Sequence, residues 1–154
     1  TLQERVLQSL RRRDRLARFA CPVGELLDLP LEQAAMVLDE LGEPSCWSEG
    51  FVTGMAFRNA RRGPRVQYAI AGFVRLAAGF AFPEHEHLGE ERVLVLQGSC
   101  SDGSKIIRAG DVQIMPAGSS HQFQVRPGPD MLFLVVADHG VRIGSRWITT
   151  ETLK

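Results

Sequence analysis

Three of the four histidines have the spacing of a metal site. His85 and His87 are two residues apart, so on a β-strand both imidazoles project from the same face and can reach one ion. Glu91 follows after a turn, and His121 comes from a later strand. Imidazole and carboxylate groups together bind borderline and first-row metals. The pattern therefore predicts three nitrogens and one carboxylate oxygen converging on a single ion.

The ligand types alone leave the metal and its coordination open. The four side chains could close a four-coordinate zinc site. A five- or six-coordinate ion would instead keep positions open for water, dioxygen or substrate. Zinc, iron, manganese, nickel and copper all accept such a ligand set. The fourth histidine, His139, follows a predicted strand with no ligand spacing around it, and we expect it to be structural.

The elements that must position these ligands are β-strands. From about residue 65 the chain consists of short runs of β-branched and aromatic residues separated by Gly and Pro, which is typical of an all-β sandwich or barrel. The predicted strands are 67–77, 80–87, 92–97, 105–108, 111–115, 121–126 and 131–137.

The first part of the chain has the periodicity of helices. Apolar residues at helical spacing predict one helix over about 2–19 and a second over 30–41, followed by Gly and Pro. The stretch 43–63 is expected to be irregular. It carries Trp47 and Phe51, which we expect to dock the helices on the strands.

Size and charge exclude several classes of protein. The chain has 154 residues and a mass of 17.0 kDa, which suits one domain, and its formal net charge of zero does not indicate a strongly basic nucleic-acid binder. Local charge is uneven: residues 1–20 sum to +4 and residues 21–50 to −7. We expect these blocks to be helix faces that attract each other.

Cysteine use and hydropathy indicate the compartment. Cys21, Cys46 and Cys100 are widely spaced and include no CxxC pair, so they favour reduced thiols over a disulfide framework. The longest apolar runs are too short to span a bilayer, and the N-terminus has no signal-peptide core. The sequence therefore predicts a cytoplasmic chain without a membrane partner.

The histidine region resembles the double motif of the cupin superfamily. The first element reads Gly79, five residues, His85-Glu86-His87, three residues, Glu91, six residues, Gly98. The second reads Gly110, five residues, Pro116-Ala117-Gly118, two residues, His121, three residues, Val125, where the usual pattern has Asn. The resemblance covers about 65–144 and implies a single jelly-roll barrel, the double-stranded β-helix. It also implies that His85, His87, Glu91 and His121 are the metal ligands.

A narrower likeness connects residues 85–103 and 134–138 with the cupin domain of ChrR-type anti-sigma factors. In that family a zinc-binding helical domain precedes the cupin and holds a sigma factor. Residues 1–42 lie where the helical domain would be. Its His-x3-Cys-x2-Cys motif is absent, because the nearest frame has Asp39, Glu43 and Cys46 in those places.

Taken together, these patterns predict an all-β cupin barrel with an N-terminal helical extension. The expected parts are the extension 1–45, the barrel 65–144 and a C-terminal tail 145–154. Because the proposed ligands all lie beyond residue 42, we expect the barrel to fold and bind metal without residues 1–42. Cupins often pair through strand edges, so a homodimer is expected.

The resemblance implies a mononuclear metal-binding regulator or sensor with a sigma factor or a small molecule as its partner. The alternative is a small metal-dependent enzyme such as a dioxygenase, for which the sequence identifies no catalytic residue. Phe123 and Val125 share the strand parity of His121 and are expected to line the pocket. Tyr68 and Arg75, on opposite faces of one predicted strand, are further pocket candidates.

Overall fold

The computed structural model describes residues 1–152, so the last two residues of the predicted tail lie outside the described residues. Three helices precede the strands: α1 (Leu2–Ala17), α2 (Ala20–Leu27) and α3 (Leu31–Glu40). The strands are β1 (Ser48–Glu49), β2 (Met55–Asn59), β3 (Ile70–Leu76), β4 (Ala81–His87), β5 (Glu91–Gln97), β6 (Ser99–Asp102), β7 (Lys105–Arg108), β8 (Val112–Met115), β9 (Ser120–Val125), β10 (Met131–Ala137), β11 (Val141–Ile143) and β12 (Arg146–Ile148).

The strands form two antiparallel six-stranded sheets, which confirms the predicted jelly-roll barrel. One sheet has the order β1-β2-β3-β10-β5-β8 and the other β12-β11-β4-β9-β6-β7. Consecutive strands alternate between the sheets through much of the barrel. This connectivity brings β4 and β9, which carry the three predicted histidine ligands, side by side.

The central strands β5 and β10 of the first sheet are covered on both faces. Val93, Val95 and Phe133 face the barrel interior, whereas Leu94 and Leu134 face the helices. Covering on both faces removes the usual alternation of apolar and polar residues. This explains why β10 reads as seven apolar residues in a row, all buried.

The helices match the predictions only in part. α1 and α3 lie where two helices were expected, with Pro30 as the N-cap of α3. α2 was not predicted, because the first helix was expected to end near residue 19 and the next to begin at residue 30. Pro22 occupies the first turn of α2, where the missing N–H has no intrahelical partner to lose. Gly24 lets the loop between α2 and α3 pack closely on α2, since a Cβ there would lie 2.8 Å from the Leu29 carbonyl oxygen.

Strands outside 65–144 extend both sheets. β1 and β2 lie in the stretch that was expected to be irregular, and β2 pairs with β3. β12, within the predicted tail, pairs with β11, which pairs with β4. β6, inside the predicted barrel range, was not predicted as a strand. These strands have two to five residues, too short for their alternation to be detected in the sequence.

Trp47 and Phe51 serve different parts of the fold. The indole Nε1 of Trp47 donates to the Leu41 carbonyl oxygen at 3.0 Å, and its ring packs against the core between helices and sheet. Phe51 does not dock the helices. Its ring lies edge-on to Phe82, with centroids 6.2 Å apart, and contacts the barrel core. The expectation holds for Trp47 and is wrong for Phe51, because its loop turns into the barrel mouth.

The acidic block pairs mainly with the barrel. Asp39 contacts Arg13 of α1 at 3.5 Å, which is the single ion pair between the two charge blocks among residues 1–152. Glu40 instead contacts Arg58 and Arg61 at 3.2 and 3.8 Å. The expected attraction between helix faces is therefore mostly replaced by contacts to residues that precede β3.

No helix among the described residues has the length and apolar character needed to cross a membrane.

Candidate metal centre

A β-bulge determines how β4 presents its side chains. Phe82 pairs with Phe123 on β9, and His85 pairs with His121. Between these two pairs β4 advances by three residues and β9 by two. The extra residue shifts the parity of the strand. As a result Phe82, His85 and His87 all point into the barrel and are buried.

The four predicted ligands come together in the interior. One ligand atom from each of His85, His87, Glu91 and His121 lies within 4.8 Å of the others. The imidazole centroids are 4.5 to 5.0 Å apart. His87 is 1% exposed and Glu91 8%, while His121 is half-buried.

Each imidazole is held by a hydrogen bond at Nδ1. His85 Nδ1 donates to the Pro83 carbonyl oxygen at 2.9 Å, and His87 Nδ1 donates to Ser119 Oγ at 3.0 Å. His121 Nδ1 donates to Asp102 Oδ2 at 2.7 Å. These contacts assign the ring proton to Nδ1, so the Nε2 lone pair of each ring is free to bind a cation.

Two of these Nε2 atoms are buried without a hydrogen-bond partner among residues 1–152, namely those of His87 and His121. His87 Nε2 lies 3.5 Å from Glu91 Oε1, longer than a normal N–H···O hydrogen bond. Leaving a buried polar atom unpaired costs about 1–3 kcal/mol. A cation shared by the histidines and Glu91 would remove this cost, so the residues fit a metal ion.

The surroundings shift the pKa values of two histidines in opposite directions. Burial is the main cause that lowers the pKa of His85 to about 4, which keeps the ring neutral near pH 7. Burial also tends to lower the pKa of His87. There, however, the Glu91 carboxylate, the Ser119 carbonyl and Asp102 outweigh burial, so the pKa of His87 is raised.

Asp102 and Ser119 belong to the site but were missed in the sequence. Asp102 lies at the end of β6, a strand that was not predicted, and Ser119 precedes β9. Both reach histidines far away in the sequence, at separations of 19 and 32 residues. Their one sequence signal was an oxygen-bearing side chain next to a predicted turn, which is too common to be informative.

Two cavities flank the four ligands. One of about 70 Å³ contacts His85 and Glu91, and one of about 30 Å³ contacts Glu91 and His121. Both exceed the roughly 10–15 Å³ needed for one water molecule. The larger cavity is walled almost entirely by apolar side chains, which include Phe51, Phe57, Phe82, Phe123, Phe133, Ile70, Val74 and Val135.

The predicted pocket residues have different locations. Phe123 contacts both cavities, and its ring stacks on Phe82 with centroids 5.0 Å apart. Val125 points inward as expected, but it is packed in the barrel core at 1% exposure. This position, where the usual cupin pattern has Asn, therefore adds no polar group to the cavity.

Tyr68 and Arg75 lie outside the cavity, which corrects both predictions. Tyr68 precedes β3, is 55% exposed and lies beside His139. Arg75 is on the outer face of β3, with its guanidinium 4.5 Å from the centroid of the Trp47 ring. Ile70 and Val74 of the same strand face the cavity instead, because they have the inward parity.

The helical segment contains no second ligand cluster. Among residues 1–152 the four barrel residues are the one group of three or more His, Cys, Asp or Glu side chains close enough to share an ion. Asp39 pairs with Arg13, and Cys46 is exposed. The histidine–cysteine zinc motif of ChrR-type helical domains therefore has no structural substitute here.

Comparison with known proteins identifies the family. A model described as the ChrR Cupin-like domain matches residues 45–140, which include all four candidate ligands. The chain belongs to the ChrR Cupin-like domain family. The helices α1 to α3 lie outside the matched range, so this family membership describes the barrel and the segment that leads into it.

Relatives of this ChrR cupin-like chain agree with that result. The anti-sigma-E factor ChrR of Cereibacter sphaeroides is 35% identical over 77 residues, which are 50% of this chain and 36% of the relative. A chain in the crystal structure of Rhodobacter sphaeroides SigE in complex with the anti-sigma ChrR superposes with a TM-score of 0.60 and 28% identity. That match covers 73% of this chain and 59% of the solved chain.

The same barrel occurs in an enzyme. An acetylacetone dioxygenase from Acinetobacter johnsonii superposes with a TM-score of 0.56, over 70% of this chain and 78% of the enzyme. The identity is 12%, so this likeness shows a shared fold alone.

Proposed function

We propose that this ChrR cupin-like protein binds one divalent transition metal through His85, His87, Glu91 and His121. The observation that carries the proposal is the pair of buried Nε2 atoms on His87 and His121 that lack a partner, directed at the same point as the Glu91 carboxylate. Zinc, iron, manganese and nickel all suit three nitrogens and one oxygen. A bound ion would supply a Lewis acid with room for a further ligand on the cavity side.

We further propose that the metal-loaded barrel is the sensing part of a cytoplasmic regulator. Family membership over residues 45–140 and the likeness to a sigma-bound ChrR support a sigma factor as the partner. A homodimer is part of the same proposal. The division of the chain into an N-terminal extension, 1–45, and a barrel, 65–144, also stays a proposal. The helices and the first sheet have a common core, so the two parts are not separate in packing.

Binding to a sigma factor can be measured directly. Co-expression with an extracytoplasmic-function sigma factor from the same genome is expected to yield a complex that changes its affinity when the metal is removed. The metal-free H85A/H87A variant controls for the metal and should show the same change. Equal affinity of the metal-loaded and metal-free proteins, or no complex with any such sigma factor, would contradict the regulatory role.

The apolar cavity beside His85 and Glu91 favours one alternative function. A small uncharged organic molecule would suit the apolar walls of this cavity, which include five phenylalanines. The alternative is therefore a dioxygenase-type enzyme acting on such a substrate. Oxygen consumption by the iron(II)-loaded protein on addition of the substrate, and none by the H85A/H87A variant, would favour the enzyme over the regulator.

Asp102 is expected to strengthen metal binding through His121. Its carboxylate accepts the Nδ1 proton at 2.7 Å, which holds the ring and makes Nε2 a better donor. We expect Asp102→Ala to weaken metal affinity ~10–100-fold, and Asp102→Asn to weaken it less because the amide oxygen can still accept. Competition with a chelator measures the affinity. Asp130→Ala, which removes an exposed carboxylate, is the control, and an unchanged affinity in Asp102→Ala would refute this role.

A further inference from the structure

Helix α1 presents an apolar stripe that no other residue among 1–152 covers. Leu2, Val6 and Leu10 recur every four residues, so they lie on one side of the helix. They are 71, 49 and 48% exposed, and Leu16 alone among the residues of α1 is buried. An amphipathic helix normally buries its apolar stripe. This stripe therefore needs a partner.

Helix α3 has a second exposed face of complementary character. Leu31 and Met36 are 61 and 52% exposed, and acidic side chains lie among them at Glu32 and Asp39. Arg13 of α1 pairs with Asp39 at 3.5 Å, and both side chains are about half-exposed. Because this ion pair joins the two helices at the surface, their exposed faces lie side by side and form one surface, here called the α1–α3 face.

Charge distinguishes the two halves of this face. Helix α1 carries five arginines against two acids, whereas α3 carries three acids and no basic residue. Within residues 1–152, Arg13 is the one arginine of α1 that takes part in an ion pair, and Glu32 takes part in none. Among the described residues, α1 therefore leaves four arginines outside any ion pair, and α3 leaves the carboxylate of Glu32.

We propose that the α1–α3 face is the interface between two copies of this chain, with α1 of each copy packed on α3 of the other. A two-fold axis makes such an arrangement self-complementary, since each contact occurs twice. It covers the apolar residues of both helices and places arginines opposite carboxylates. The inference rests on the homodimer of the proposed function and is independent of the metal.

Charge also excludes the simplest competing arrangement. If two α1 helices packed against each other, two basic helices with five arginines each would meet, which like-charge repulsion disfavours. Pairing through the edge strand β8 is the other alternative, because Ile114 on that strand is 63% exposed. Neither alternative gives Glu32 of α3 a basic partner.

The mass of the protein in solution, measured by light scattering after gel filtration, tests the interface. We expect the wild type to be a dimer. Val6→Glu places an unpaired carboxylate in the apolar stripe and is expected to raise the dimer dissociation constant ~100-fold. Glu32→Lys on α3 should also weaken the dimer, since it places a cation opposite the arginines. Ile114→Glu on β8 is the matched control and should remain dimeric.

Each other outcome overturns the proposal. A monomeric wild type excludes the interface, including the case where α1 binds anionic lipid vesicles or another protein instead. Loss of the dimer in Ile114→Glu alone would indicate edge-strand pairing. A dimer that tightens with added salt, or that tolerates Glu32→Lys, would indicate α1 packed on α1, because salt screens repulsion between like charges. Metal content should stay at the wild-type level in all variants, which separates a failed interface from a failed metal site.

Discussion

Replacing His85 and His87 together by alanine is expected to reduce the metal content from about one divalent ion per chain to almost none. The two imidazoles supply half of the proposed ligand set, and the remaining Glu91 and His121 come from different strands. Two ligands without a chelating geometry do not retain a divalent ion through purification. Elemental analysis of the purified protein, normalised to protein concentration, gives the result.

The fourth histidine provides the control. His139 is exposed and lies outside the ligand cluster, so His139→Ala should leave the metal content unchanged. Full metal content in the double variant would show that the ion binds elsewhere. Circular dichroism should be measured in parallel, because a folded, metal-free double variant is the outcome that assigns the site.

Deletion of residues 1–42 is expected to prevent soluble folding, contrary to what the sequence suggested. Phe73, Leu94, Leu134 and Val136 on the outer face of the first sheet are buried against Leu27, Val37 and other apolar residues of α2 and α3. Removing the helices would expose this face to water and favour aggregation. Yield in the soluble fraction, compared with the full chain, measures the effect.

A single substitution tests the same core with less disruption. Leu27→Ala removes a fully buried side chain between helix and sheet and should lower the free energy of unfolding by about 2–5 kcal/mol in urea titrations. Ile114→Ala, at a 63% exposed position, should change it by less than about 0.5 kcal/mol. A soluble, cooperatively folding 43–154 fragment with normal metal content would show instead that the barrel folds independently.

The sequence by itself determined the parts of the protein that depend on local spacing. The spacing of His85 and His87 places both rings on one face of any β-strand, wherever that strand lies in the fold. Gly and Pro at fixed distances from these residues, together with Glu91 and His121, carried the cupin motif. Strand 131–137 has the bounds that were predicted, because a wholly apolar run between turn residues is a local signal. Strand 105–108 also has the predicted bounds, since Gly103 and Gly110 enclose it.

Only the tertiary structure decided which residues complete the site. The bulge in β4 turns Phe82 inward beside His85, although strict alternation from His85 places it outward. The partner of His121 is Asp102, and a wall of the cavity comes from Phe51, in a stretch that was read as irregular. Register and sheet packing bring these residues to the histidines from 19 to more than 30 positions away, and no local pattern records such contacts. The helices were predicted as an extension, but in the fold they cover the outer face of the first sheet. The sequence does not show this, because burial depends on which surfaces meet after folding.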